Sequence, residues 1–201
     1  MGSLREKADK QKTQTTKAEA KINDIDTEAL FNTIDAVKAD PSKGSCKFFA
    51  NTEWQHGTVS ATRISRYRLG GQEILQNYTI EADEPSGLLG TDTAPNPQML
   101  LYAALNSCVL NTFVVNASAK GIRLDSVKLE LEGELDLRGF LAIDDSINPG
   151  YNELTLVCKV KGNGTKQQYT ECLEAGTKYS PNFQSITRGV PIHSRLEVDG
   201  Q

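Results

Sequence analysis

The stretch Pro95-Asn96-Pro97-Gln98-Met99-Leu100-Leu101-Tyr102, continuing as AALNSCVLNTFVVNASAKG to Gly121, decides the fold. Asn96 is a good N-cap, and Pro97 falls at the first helical position, where its missing N–H costs nothing. No further Pro or Gly interrupts the run to Lys120, and Gly121 is placed to stop it. This predicts a helix of 24 residues, about 36 Å long. It is apolar on most of its faces, and a helix apolar nearly all round is expected to be buried nearly all round. It needs a sheet on one side and further cover on the other, for which a second subunit is a natural candidate. Cys108 lies at its middle.

Working outward, residues 83–97 (DEPSGLLGTDTAPNP) form a Gly/Pro-rich loop ahead of the helix. Before it, CKFFANTEW, GTVSATRISRY and EILQNYTIEA read as three strands of a meander, with turns at His56-Gly57 and Gly70-Gly71. After the helix, residues 124–138 alternate: Val127, Leu129, Leu131, Leu135 and Leu137 on one face, charged residues on the other. This predicts a half-exposed antiparallel strand with a bend at Gly133. Asn148-Pro149-Gly150 is a turn signal. A strand follows over 153–161, then a helix over 165–179 begun by Thr165 and interrupted by Pro181. A final edge strand is expected over 190–198, where Pro191 is tolerable. Asp26 caps an earlier helix bearing Leu30, Phe31, Ile34 and Val37, ended by Pro41 and Gly44. Residues 1–25 are polar enough for a frayed arm, or a helix lying on a partner subunit. Helices and mostly antiparallel strands in separate blocks make this an α+β fold. The domain division is an N-terminal helical extension, 1–45, and a main domain, 46–198.

With 201 residues the chain can bury a proper core. Its net charge of −4 argues against nucleic acid as a main partner. No stretch approaches the roughly 20 apolar residues a membrane span needs, so no membrane partner is expected. The first 20 residues lack the apolar core of a secretory signal, which makes the cytoplasm the expected compartment. Thiols stay reduced there. The four cysteines, Cys46, Cys108, Cys158 and Cys172, show no metal-ligand spacing, and neither His56 nor His193 sits in a zinc pattern. No metal or cofactor is expected.

A cysteine on an apolar helix is usually a small buried hydrophobe. One turn from Cys108, however, stand Asn111 and Thr112, which could hydrogen-bond a thiolate or a substrate oxygen. Cys158 and Cys172 fall on core faces and read as packing, and Cys46 as inert. Lowering the pKa of Cys108 from about 8.5 would need a positive group nearby.

The segment Pro95 to Cys108 resembles the helix-opening motif of the OsmC/Ohr family, whose pattern is Asn-Pro-Glu, an apolar Ala-rich turn and a cysteine. The Ala117–Ile122 stretch, the alternating strand after it and Ser180-Pro181 are similar too, and the likeness covers about residues 46–198. The resemblance implies an OsmC-like fold and an intertwined homodimer with central helices buried between sheets of both chains. It also implies thiol-dependent reduction of a small-molecule hydroperoxide, with an external thiol reductant and a role in oxidative-stress defence. Cys108 matches the peroxidatic cysteine. The motif glutamate is replaced by Gln98. The second cysteine, which normally precedes a proline, is replaced by Ser180. Arg63, Arg66 and Arg68 all lie in the region of the family's arginine, and the distance upstream of Asn96 favours Arg66. Two functions follow: a one-cysteine hydroperoxide reductase acting through Cys108, or a non-catalytic dimer that binds an apolar small molecule.

Overall fold

The computed structural model describes residues 21–198. The helix read from the sequence is present as α2, Pro97–Ala119. Asn96 accepts from the backbone N–H of Met99, and Gly121, at φ 75°, turns the chain away from the helix end. Three elements cover its C-terminal half. Strands β7 (Leu124–Glu132) and β8 (Thr155–Gly162) form an antiparallel pair, and α4 (Lys166–Tyr179) runs back along α2. The core centres there, on Phe113, Ala117, Ile122 and Cys172, with Val127, Cys158, Val160 and Leu173 packed around them. Helix α4 approaches closely because it presents Gly176, where a side chain would stand 3.3 Å from the Val109 carbonyl oxygen. Thr165 and Gln168 form the capping box that starts α4. Helix α5 (Pro181–Arg188) follows and meets the N-terminal half of α2, where Asn182 Nδ2 donates to the Ala104 carbonyl at 2.8 Å.

The meander is also present. Its long strands are β5 (Val59–Leu69) and β6 (Gln72–Ala82), joined by Gly70-Gly71, both at positive φ as a two-residue hairpin turn demands. The run expected as its first strand is two pieces, β3 (Cys46–Phe48) and β4 (Asn51–His56), which pair in turn with the two ends of β5. Ahead of them come a small hairpin, β1 (Lys21–Ile22) and β2 (Ile25–Asp26), and helix α1 (Thr27–Ala39). Asp26 caps α1 as expected. The hairpin ties the extension to the main domain: Asn23 donates to Ser118 Oγ and the Ile122 carbonyl and accepts from the Leu124 N–H. The expectation of a frayed arm or a helix for residues 1–25 therefore gives way to a hairpin over 21–26. Residues 1–20 lie outside the described part.

Four expectations are corrected. The alternating strand ends at Glu132, and Leu135 and Leu137 leave it. Gly133 packs too tightly for a side chain, with Leu154 Cδ2 2.4 Å from where its Cβ would stand, and a short helix, α3 (Leu137–Phe140), follows. Residues 190–198 form no strand, because no ladder partner pairs with their backbone among the described residues; Ile192 and Leu196 are almost fully exposed. By length and composition α2 is apolar enough to cross a membrane, against the expectation of no such stretch. Its contacts with α4, α5 and β7 mark it as the core helix of the fold. Finally, α2 is not buried all round within one chain, since only 17% of its most apolar window is covered. The meander does not supply the missing cover, because it makes no substantial packing with α2 and leaves Trp54, Leu75 and Tyr78 exposed.

The loop that leads into α2 is organised by one buried carboxylate. Asp83 Oδ1 accepts from Thr58 Oγ1 at 2.6 Å and from the Glu84 N–H at 2.8 Å. Its Oδ2 accepts from the N–H and hydroxyl groups of both Thr91 and Thr93. The Thr58 and Thr91 hydroxyls, with the Thr91 and Thr93 amides, hold its pKa far below the usual carboxylate range. Within the same loop a side chain at Gly90 would collide with the Glu84 carbonyl. A group with a depressed folded pKa contributes stability that is present above its unfolded pKa and lost as pH falls below it. Asp83→Asn should therefore melt at a lower temperature than the wild type at neutral pH. Calorimetry should show the gap narrowing as pH drops below about 4.

Candidate functional site

The N-terminal half of α2 is the open half. Met99 is 59% and Leu101 38% exposed, whereas Val109 and Phe113 further along are fully buried. Cys108 stands at the boundary, half-buried and free. Leu101, Leu105 and Cys108 follow the i, i+4, i+7 spacing of one helical stripe. Leu101 and Leu105 line a pocket of about 540 Å³. Leu131, Leu154, Leu156 and Phe183 complete its apolar wall, and Asn152, Glu153 and Thr187 supply polar groups. An apolar hollow with a few polar groups is the usual form of a small-molecule site.

The other cysteines differ from Cys108 in their surroundings, Cys158 being half-buried too but packed against the core. Cys172 is sealed in the core, and burial pushes its thiol pKa up. Burial also raises Cys158. Both hold their thiols protonated, the unreactive form, as expected of packing residues. Cys46 is exposed.

Of the polar neighbours expected around Cys108, Thr112 is committed elsewhere. Its hydroxyl donates to the Cys108 carbonyl at 2.9 Å, a back-bond within the helix. Asn111 is exposed. Ser180 is fully buried at the α4–α5 junction. It lies between Gly176, which abuts Val109, and Asn182, which bonds Ala104, and so sits level with the turn of α2 that carries Cys108. Its Oγ accepts from the Phe183 N–H at 3.2 Å and caps α5. The residue at the position expected for a second thiol is thus a helix cap.

Gln98 is exposed in the first turn of α2 and lines a smaller hollow, about 240 Å³, with Glu84, Asn96, Leu137 and Tyr151. Arg66 lies on the meander. Its guanidinium is 3.5 Å from Glu73 and 4.8 Å from the Phe49 ring centroid. Within one chain, no hydrogen bond or ion pair joins Arg66, Gln98 and Cys108 among the described residues. The three sequence-derived site residues are therefore not brought together by this chain alone.

A tyrosine pair went unnoticed in the sequence. The Tyr102 and Tyr151 rings meet at a tilt of 42° with centroids 5.5 Å apart, and Tyr102 donates to the Gly133 carbonyl at 3.3 Å. Burial first, then the bond to Tyr151, pushes the Tyr102 hydroxyl up to about 12. Tyr151 faces both hollows and so links the Gln98 end of the site to the Leu101–Leu105 wall. The only sequence signal was Tyr102 itself, a polar-tipped residue in an apolar run.

The family model for OsmC-like proteins matches residues 90–195. Among solved structures, an OsmC-like protein from Mycoplasma pneumoniae is similar to this chain at a TM-score of 0.56 and 17% identity, covering 72% of this chain and 89% of the other. A Psychrobacter arcticus protein, named for an osmotic stress and detoxification response, gives 0.52 and 15%, covering 68% and 85%. An OsmC-like protein from Vibrio cholerae gives 0.51 and 16%, covering 69% and 92%. At such identities the likeness is one of fold. No curated protein matches the chain.

Replacing the Ser180 cap should cost about 1 kcal/mol, the usual value of a lost N-cap bond. Ser180→Ala should show that loss in urea unfolding. An unchanged midpoint would mean that the buried hydroxyl contributes nothing to α5.

Proposed function

The chain belongs to the OsmC-like protein family, and from that premise we propose that it is a one-cysteine, thiol-dependent hydroperoxide reductase working as a homodimer. The observation that carries the reading is the position of Cys108. It is a half-buried thiol one step along the stripe of α2 whose Leu101 and Leu105 line an apolar pocket, and the sequence resemblance matches it to the family's cysteine. The pocket suits the organic part of a hydroperoxide, and the thiol is next along the same stripe.

The chemistry proceeds in three steps. The Cys108 thiolate attacks the outer peroxide oxygen, the O–O bond breaks, and the alkoxide takes a proton and leaves as an alcohol. Cys108 becomes a sulfenic acid. An external thiol then condenses with it, releasing water and forming a mixed disulfide. A second external thiol displaces Cys108 from that disulfide and regenerates it. Ser180 cannot take the place of the first external thiol, so the reductant must reach Cys108 directly. Gln98 retains hydrogen bonding without charge.

The dimer reading rests on what one chain leaves open. The N-terminal half of α2, the meander's apolar residues and the alternating apolar residues of 190–198 all lack cover. The Asn106 amide oxygen is buried without a hydrogen-bond partner among the described residues. An unmet buried acceptor costs on the order of 1–3 kcal/mol. A second copy would supply the cover. It would also supply the positive group that Cys108 lacks, with Arg66 coming from the partner's meander. The rival reading, a non-catalytic dimer binding an apolar molecule, is favoured by Ser180 serving as a cap and by the neutral Gln98.

Wild type with an organic hydroperoxide and a thiol reductant should turn over, and Cys108→Ser should lose activity by at least about 100-fold. Equal activity in both would leave only the binding role. Light scattering should give twice the 22.0 kDa chain mass. If Arg66 acts across the dimer, Cys108→Ser and Arg66→Ala chains mixed and re-annealed should regain turnover that neither has alone. No recovery in mixed dimers would place the arginine within one chain.

A further inference from the structure

Charge is segregated along this chain. Residues 43–69 carry five cationic side chains and one acidic one, and residues 125–153 carry eight acidic and two cationic, although the whole chain is only −4. The fold concentrates both groups. Around the Phe49 ring stand Lys47 at 5.3 Å, Arg66 at 4.8 Å and Arg68 at 5.8 Å. One carboxylate, Glu73, answers the two arginines, at 3.5 and 3.4 Å. Lys47 has no ion-pair partner among the described residues. On the other half of the molecule, Glu132, Glu134 and Glu153 line a hollow of about 580 Å³. None of these three glutamates is ion-paired among the described residues. Their neighbour Glu130, by contrast, is held down to about 2 by Lys128 and Lys159.

Like charges gathered on one surface repel, and a complementary surface relieves the repulsion while steering association and fixing its register. We propose that the Lys47–Arg66–Arg68 cluster of one copy docks into the Glu132–Glu134–Glu153 hollow of a second copy. This rests on the homodimer reading above and specifies its contact. Twofold symmetry makes the contact twice. The geometry is coherent with the site. Asn152 and Glu153 border both the acidic hollow and the apolar pocket lined by Leu101 and Leu105, so a docked cluster brings Arg66 to the stripe of α2 on which Cys108 follows.

The test is charge reversal, read as dimer dissociation by sedimentation equilibrium, with circular dichroism confirming the fold. Lys47→Glu/Arg68→Glu should weaken the dimer at least about tenfold. Adding Glu132→Lys/Glu134→Lys to the same chain should restore most of the loss. A reversal without effect, or a fourfold variant that stays as weak as the double, overturns the proposal. Should the reversed chains fail to fold, the wild type decides. Its dissociation constant should rise about tenfold between roughly 0.05 and 0.5 M salt, and an unchanged constant overturns the contact. A wild type that is monomeric throughout overturns the homodimer reading itself, whereas a salt-indifferent dimer overturns the charge contact alone.

Discussion

Everything in this structure answers to one constraint: α2 has more apolar surface than one chain covers. The C-terminal half is sealed by α4, β7 and Ile122, with Gly176 letting the two helices approach at Val109. The N-terminal half is not sealed, and the pocket, Gln98 and the Tyr102–Tyr151 pair gather there. Cys108 lies where the sealed half meets the open one. Burial on one side and access on the other is what a reacting thiol needs, because full burial would hold it protonated, as it holds Cys172.

That division separates the cysteines more sharply than their number does. Cys158 and Cys172 share the core with Phe113, and burial keeps both protonated. Ser180 is as buried as Cys172, and its hydroxyl contributes to starting α5. A thiol there would cap less well, since sulfur is a weak acceptor. At the position that the sequence resemblance gives to a second cysteine, this chain has a helix cap. In the proposed reaction, Cys108 would therefore depend on an external thiol.

Local chemistry was legible in the sequence. Asn96-Pro97 and Gly121 bounded α2, Asp26 capped α1, Thr165 opened α4, and Gly70-Gly71 turned the meander, because each acts within a few residues of itself. Contacts decided at long range were not legible. The alternation at 190–198 is strand-like, yet a strand exists only where another offers a ladder, and none does so among the described residues. Leu135 and Leu137 continue the period of β7, but close packing at Gly133 turns the chain out of the sheet first. Asp83 reads as one acid in a loop, and its cage depends on Thr58 in the turn between β4 and β5, 25 residues away. Arg66 was placed by its distance upstream of Asn96, which does not say that it would sit on Phe49 and Glu73, away from Cys108 within the chain.

The most direct measurement treats the reduced protein with one equivalent of an organic hydroperoxide, traps sulfenic acid with dimedone and maps the adduct by peptide mass spectrometry. The account predicts an adduct on Cys108, absent when a small thiol is added before the trap. An adduct confined to Cys46, Cys158 or Cys172, or none at all, would contradict it.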